Sequence, residues 1–382
     1  MVAPRRILIV GDGTGGLSIA NKLAFRIPRE FADITVIGNS PKHYYKPAGT
    51  AISYGSLDYS RFTKNARFLL SSHISYIRGE VTGVNKAEKN VLTRDGKRYY
   101  YDYLVLAPGA RFAPEAVPGF EGEAKHFYDL NHSVELSRHI QALEEGNLVI
   151  GSPSGPIQCP PAPFEFALLA DEYLRNKGVR DKVNITFFFP GKGVFGIPVV
   201  SEFVQKLFED RGIEFRSEFT PKSISQKNKE INSVSGDLIK YSLLVMPPPH
   251  MGQKFIEKSG FKGDNGFVEV DPRTLQYREN PEIYVIGDAA QFNGIMVPKS
   301  GTAAAFQGGI VAESISSEIG GLSFNREYDG EAICQVYNGR RQGFSIRIQN
   351  GKATLGKEAE LDFHLKKTGA DTYFSSIVRG MM

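Results

Sequence analysis

Residues 6–16 read RILIVGDGTGG. Arg6–Val10 has the length and the branched apolar content of a strand buried on both faces, and it runs without a linker into Gly11-Asp12-Gly13-Thr14-Gly15-Gly16. In a strand, loop and helix of this kind Gly11 permits the tight turn, Gly13 lets the main chain approach a pyrophosphate, and Gly16 lets the helix pack closely on the strand. The spacing predicts a helix over residues 17–27, whose N-terminal amides would face the phosphates. A glycine pattern alone also occurs in ordinary turns; the strand before it and the helix after it make it a dinucleotide site. The next strand is expected at Ile34–Ile37. Where such folds often carry a ribose-binding acid this chain has Gly38-Asn39-Ser40, so Asn39 and Ser40 are the expected neutral partners of the ribose hydroxyls.

Two further segments narrow the ligand. Tyr103–Gly109 (YLVLAPG) is a strand ending in the small-residue turn Ala107-Pro108-Gly109, and Ile283–Ala289 (IYVIGDA) is a strand ending in Gly287-Asp288. Both are similar to signature segments of flavoproteins with two dinucleotide-binding domains. The resemblance implies FAD, with Asp288 on the ribityl chain and Val81 among the cofactor contacts.

A chain of 382 residues is long for a single core, so two or three domains are expected. A net charge of +4 is too small to argue for nucleic acid, and the basic residues do not alternate with aromatics as in RNA- or DNA-binding modules. No run of eighteen apolar residues is present, so no membrane-spanning helix is expected. Arg5-Arg6 leads directly into the first strand with no hydrophobic region between them, and the expectation is a chain made without export.

The cofactor segments lie on both sides of a long insert, which predicts one discontinuous domain. Within the insert, Asn147–Gly151 and Asn184–Phe189 read as strands, Phe164–Lys177 and Ser201–Asp210 as helices, and Glu214–Arg216 and SLLVM as further strands. After a helix over Gly301–Glu318, residues 331–356 read as short strands with turns at Asn338-Gly339 and Asn350-Gly351; the last twenty residues return to helix. This last unit is expected, from connectivity, against the flavin domain.

The second α/β unit lacks a second glycine loop. Its counterpart, residues 151–161, reads GSPSGPIQCPP, in which Pro153, Pro156, Pro160 and Pro161 each remove an N–H donor, so a phosphate nest of amides cannot easily form there. The loop carries Cys159, one of only two cysteines; the other is Cys334 in EAICQVYNGRRQGF. Taken singly, each reads as readily as an inert buried residue, and a structural disulfide is a further option.

With these residues in place the chain resembles the sulfide:quinone oxidoreductases, and also the flavin subunit of flavocytochrome c sulfide dehydrogenase, over nearly its whole length. Cys159 with Glu165 is similar to that family's first redox cysteine and its acid, and Cys334 to the second. Pro298-Lys299-Ser300-Gly301 is similar to the segment beside the flavin pyrimidine edge, and Tyr45-Lys46-Pro47 to a turn near the isoalloxazine. His132 matches one of two family histidines; the loop 190–198 lacks the other. No third cysteine lies upstream of Cys159, so non-covalent FAD is expected. No metal is expected.

The resemblance implies an α/β fold of two Rossmann-like domains in tandem, like glutathione reductase, with a small C-terminal α+β membrane-docking unit. The boundaries are residues 1–113 and 271–320 for the two parts of the FAD-binding domain, 114–270 for the second domain with Cys159, and 321–382 for the C-terminal unit with Cys334. It also implies that hydrosulfide attacks a sulfur bridge between Cys159 and Cys334, that Glu165 handles protons and Lys299 steadies the reduced flavin, and that electrons leave as sulfur or polysulfide forms. The acceptor would be a membrane quinone, held by Phe344 and Tyr373. Ala370, Tyr373, Phe374, Ile377, Val378 and Met381 recur at helical spacing with Lys366, Lys367 and Arg379 beside them, a stripe suited to an interfacial helix on the cytoplasmic face of a membrane. The same stripe also fits a helix packed on the protein's own core or on another copy in a homo-oligomer. A type II NADH dehydrogenase and a flavin-bound partner protein gated by redox state are the competing readings.

Overall fold

The computed structural model describes residues 3–55, 59–324 and 326–381. The glycine-loop strand is β1 (Arg5–Val10), followed by α1 (Thr14–Arg26) and β2 (Ala32–Gly38). β1 and β2 run parallel, with Ile7 beside Ile34 and Val10 beside Ile37. They lie inside a six-stranded sheet whose spatial order is Gln276–Tyr277, Asn280–Val285, Tyr103–Leu106, β1, β2, Ser75–Arg78. Every neighbouring pair is parallel except the edge pair Gln276–Tyr277 with Asn280–Val285. The sheet therefore draws strands from both sides of the long insert, as the sequence spacing predicts.

α1 starts three residues earlier than expected, because Gly15 and Gly16 already belong to its first turn. The close packing that requires glycine is plain at Gly16, where an added Cβ would lie 1.8 Å from the Gly11 carbonyl oxygen. α1 packs beside the helix Gly301–Ile319, with Gly15 against Ile286 and Ala304, and Gly308 against Ile19. Leu17, Ile19, Leu23, Val36, Val105 and Val311 fill the core they share.

The insert forms a second, all-parallel sheet in the order Ile213–Arg216, Val183–Phe188, Gly146–Gly151, Leu243–Val245. Its central strand Gly146–Gly151 feeds, through the cysteine loop, the helix Ala162–Lys177, which Gly178 ends in the left-handed conformation (φ +78°). Pro198–Arg211 is the second helix on this sheet.

The C-terminal strands Ala332–Gly339, Gln342–Gln349 and Lys352–Leu355 make an antiparallel sheet. Residues directly opposite one another share a face, so Ala332 with Ile348, Cys334 with Ile346, and Val336 with Phe344 form one surface. That surface is buried on the second unit, in the same core as Leu168, Val200, Val204 and Phe208. The expectation that this unit sits on the flavin domain therefore holds in part for its sheet: Thr302 Oγ1, on the flavin-side helix, bonds the Ile333 main chain (2.7 and 3.3 Å), while the apolar face goes to the second unit. Apolar alternation buries the hairpin where two helices offer a matching face, whatever its neighbours in sequence.

One turn also moves. Asn350-Gly351 turns as expected, both residues at positive φ (51° and 70°), but the first hairpin turns at Arg340-Arg341 (55° and 58°) rather than at Asn338-Gly339. Asn338 is buried, with its amide on Glu358, and Gly339 lies against Glu172 and Arg211 with little room for a Cβ, so tertiary packing takes this pair into the strand.

The tail turns back to the first unit through the helix Glu360–Lys367 and a helical stretch over 369–377. Tyr373, Phe374 and Val378 are buried in the flavin-side core, Ile377 is half-buried there, Ala370 is buried, and Asn21 Nδ2 donates to the Val378 carbonyl (2.8 Å). The stripe expected to face lipid is therefore core; of its six residues only Met381 stands well out into solvent (73%). Periodicity shows that a helix has an apolar face without showing what covers it. The Lys367 side chain lies outside the described residues. No helix among the described residues is long and apolar enough to cross a membrane.

Candidate functional site

The cofactor crevice forms where the loop after β1 meets the turns after Tyr103–Leu106 and Asn280–Val285. Gly11, at φ +112°, leaves no space for a side chain: a Cβ would sit 2.2 Å from the Ala107 carbonyl oxygen. Gly13 and Gly109, in contrast, have no atom within 4 Å of a Cβ position, so open backbone lies at the N-terminus of α1 and beside Pro108. Gly287, at φ +68°, donates its N–H to Gln307 Oε1 (2.6 Å) and sets Asp288 at the other end. An open glycine cradle, a helix N-terminus and an acid fit the pyrophosphate and ribityl parts of FAD. Val81 is half-buried on the core formed around Ile37 and Leu106.

Asp288 Oδ2 accepts from Gln158 Nε2 (2.7 Å), and Gln158 Oε1 accepts from Lys46 Nζ (2.9 Å). Lys46 sits beside Pro47, which begins the short helix Ala48–Ser53; burial pulls the lysine pKa down while Asp288 and Asp129 oppose it. Lys299 Nζ donates to the carbonyls of Asp288 (2.6 Å) and Ala290 (3.2 Å) and lies 4.0 Å from the Phe267 ring centre. Burial draws its pKa down to about 8, against the pull of Asp288.

Tyr373 is tied to the glycine loop. His43 Nδ1 donates to the Asp12 carbonyl (2.9 Å), which makes Nε2 the acceptor of the Tyr373 hydroxyl (2.5 Å); Thr14 Oγ1 is 2.6 Å from the same hydroxyl. Burial lowers the His43 pKa to about 4, so the ring is neutral.

Cys159 adopts φ +47°, a strained value for a residue with a side chain. Its N–H donates to the Lys299 carbonyl (2.7 Å) and its own carbonyl accepts from Ala162 N (2.9 Å), so the cysteine loop is pinned to the flavin crevice on one side and to the helix Ala162–Lys177 on the other. Glu165, in the first turn of that helix, is 2% exposed and ion-paired with Lys366. Cys334 comes to the same place from the hairpin face. Both thiols are free. Burial pushes Cys159 up to about 11, with Lys366 opposing and Glu165 adding to the rise; burial and then the neighbouring Cys159 push Cys334 higher still. Lys366 also lies 4.8 Å from the Tyr337 ring centre.

Residues 5–186 match the family model described as pyridine nucleotide-disulphide oxidoreductase. The mitochondrial sulfide:quinone oxidoreductase of Dictyostelium discoideum is 31% identical over 344 residues, spanning 87% of this chain and 75% of that protein. The chain belongs to the sulfide:quinone oxidoreductase family. The solved sulfide:quinone oxidoreductase of Aquifex aeolicus shares the fold, with a TM-score of 0.87 at 22% identity over 98% of this chain and 92% of that one. A type II NADH:quinone oxidoreductase of Staphylococcus aureus is 28% identical over 381 residues, covering 93% of this chain and 92% of that protein.

Against that family background three expectations change. Phe344 does not line a cavity with Tyr373: it is fully buried, edge-on to Phe203 (5.0 Å) in the second unit's core, because it shares the hairpin face with Val336. Tyr373 keeps its ring against Tyr45 (4.9 Å), with its hydroxyl spent on His43 and Thr14. His132 bonds Asp129 (2.6 Å) and stacks on buried His126 (3.9 Å), and none of these contacts is to a cysteine. Sequence reasoning placed Lys366 beside lipid. In the helix Glu360–Lys367 it is Leu361 (66%) and Leu365 (46%) that face solvent while the lysine points inward, the reverse of what residue type suggests. Gln158, one residue from Cys159, also went unread, although its position beside the thiol was a usable signal.

Proposed function

We propose that this chain oxidises hydrosulfide at Cys159 and Cys334 and passes two electrons by way of bound FAD to a quinone at a membrane surface. The observation that carries this is the meeting of the two cysteines beside the buried Glu165–Lys366 pair, with the Cys159 main chain bonded to Lys299 of the flavin crevice.

Burial holds Cys159 near 11 and Cys334 higher, so as free thiols both are protonated at neutral pH and poor nucleophiles. The reacting state is therefore the oxidised pair: the two thiols would give up two protons, and two electrons to bound FAD, as a bridge forms between their sulfurs, and hydrosulfide attacks that bridge. The hydrosulfide sulfur bonds to one cysteine sulfur, the bond between the cysteines breaks, and the other sulfur leaves as thiolate with the electron pair. Lys366, the cation that lowers both thiol pKa values, stabilises that leaving thiolate. Glu165, held near Lys366, accepts the proton carried in by hydrosulfide. FAD supplies a two-electron carrier between thiols and quinone. Gly11, Gly13 and Gly16 with the α1 N-terminus would hold its pyrophosphate, Asp288 its ribityl chain, and Lys46, Pro47 and Lys299 would border its ring system, with Ala107, Pro108, Gly109 and Val81 as further contacts, Val81 on the side of the β2 end; its attachment would be non-covalent. The domain limits 1–113, 114–270, 271–320 and 321–382 belong to the same reading.

For membrane contact we assign the groove of about 410 Å³ lined by Arg61, Lys64, Phe68, Asp371, Phe374 and Arg379, which keeps only the Phe374 and Arg379 edge of the C-terminal segment, on the cytoplasmic face; Asp371 pairs with Arg61 (2.8 Å) and leaves Lys64 and Arg379 as the cations beside Phe68. Phe68 stands out into solvent (75%), and basic residues around an exposed aromatic suit an anionic lipid surface. NADH is disfavoured as donor: the loop ahead of Ala162 is filled with proline, and Glu165 in the first helical turn would repel a phosphate.

The test is an anaerobic titration of the flavin-loaded protein, followed at the flavin absorption band, with sulfide and with NADH in separate runs. Sulfide bleaches the band and NADH does not; bleaching by NADH without a response to sulfide refutes the reading.

A further inference from the structure

We propose that Asp12, from inside the glycine loop, supplies the carboxylate that receives a ribose hydroxyl of the adenosine half of the cofactor. This rests on the flavoprotein reading above.

The usual place for that acid is the end of the second strand, and β2 ends in Gly38-Asn39-Ser40 without one. Neither neutral candidate is well placed to replace it. Asn39 projects into solvent, and the Ser40 hydroxyl is used within its own turn, donating to the Lys42 carbonyl (2.9 Å) and accepting from Lys42 N (3.3 Å). The space beside the strand end is instead filled from the loop. A Cβ on Gly38 would lie 2.1 Å from Asp12 Oδ2, so the carboxylate stands against the last residue of β2 and glycine is the residue that admits it. The missing acid and the glycine at position 38 are two sides of one exchange: the carboxylate has moved from the strand end to the loop that faces it.

Asp12 is held there from two directions. Tyr76, on the neighbouring strand Ser75–Arg78, donates its hydroxyl to Oδ2 (2.8 Å) and also lies 3.0 Å from the Ser40 carbonyl oxygen. The Asp12 carbonyl accepts from His43 Nδ1 (2.9 Å), which fixes the main chain. A carboxylate accepts at about four lone-pair positions; Tyr76 and the main-chain N–H groups of Asp12 and Ser40 take three, which leaves one for a hydroxyl donor. A ribose hydroxyl, unlike a 2′-phosphate or a deoxyribose carbon, matches that position in both charge and donor.

The test uses the full chain freed of flavin. FAD binding is followed by flavin fluorescence, and the adenosine half alone is scored by competition with ADP and with 2′,3′-dideoxy-ADP. A hydrogen bond to a charged acceptor is worth roughly tenfold in binding, so ADP should displace FAD at about one tenth the concentration of the dideoxy compound. In Asp12→Ala the two nucleotides should become equal within about twofold, with Asp12→Asn, of the same volume, intermediate. Equal displacement by the two nucleotides on the unaltered protein, none by either included, or a preference that survives in both variants, overturns the proposal. No sulfide is used, so a protein that shows the preference yet is not bleached by sulfide fails the proposed function and keeps this inference.

Discussion

Replacing Lys366 by Met leaves Glu165 as a carboxylate 2% exposed with its cation gone. Removing one partner of a buried ion pair costs about 3–5 kcal/mol while the other stays charged. The carboxyl has an escape, which is to take up a proton. From its ordinary value of 4.5 to pH 7, at about 1.4 kcal/mol per unit, protonation sets a ceiling near 3.4 kcal/mol. Lys366→Met should therefore lose about 3 kcal/mol at pH 7. The sign with pH follows from linkage: the folded variant keeps its Glu165 proton to higher pH than the unfolded chain, so between pH 4.5 and 7 its stability falls as pH rises, and the deficit against the unaltered protein shrinks toward pH 4.5. Adding Glu165→Gln removes the ionisable partner, so the double variant should recover much of the loss and show no such slope. Urea unfolding of the three proteins at several pH values reads this directly. A deficit under about 1 kcal/mol at pH 7, or one that does not change with pH, would refute the buried pair.

Cys159→Ser and Cys334→Ser should each abolish bleaching by sulfide while flavin stays bound, read by absorbance before and after sulfide; turnover near normal in either removes the paired-thiol mechanism. Truncation before Gly369 should release flavin, because it deletes the Tyr373 contacts to His43 and Thr14; Tyr373→Phe, with both hydroxyl hydrogen bonds gone, should weaken FAD binding roughly fivefold by fluorescence titration. Phe344→Ala should cost about 3–5 kcal/mol in urea unfolding, as a fully buried aromatic does, rather than change the quinone KM selectively.

What could be read along the chain was what is decided locally. RILIVGDGTGG, YLVLAPG and IYVIGDA each carry strand and turn chemistry within a dozen residues, and the three fell at the crevice in the expected order. The proline loop at Cys159 was legible for the same reason. The misreadings all concern which surface a pattern meets. The 370–381 stripe is apolar at helical spacing whether lipid or protein covers it. Asn338-Gly339 is a turn signal until Glu358, Glu172 and Arg211 claim its position. Leu361 and Leu365 advertise a buried face on a helix whose inward residue is Lys366, because a carboxylate 201 positions away is waiting for it.

The contact between Thr14 and Tyr373 also sets a schedule for synthesis. The two residues are 359 positions apart. A ribosome adding about 5–20 residues per second needs about 20–70 s to go from one to the other. Through that interval the glycine loop exists without the hydroxyl that braces it, and His43 holds the Asp12 carbonyl with no partner on its own far nitrogen. A nascent chain is consequently a poor trap for flavin, and capture of the cofactor belongs among the last events of maturation, after the tail has closed over the beginning of the chain.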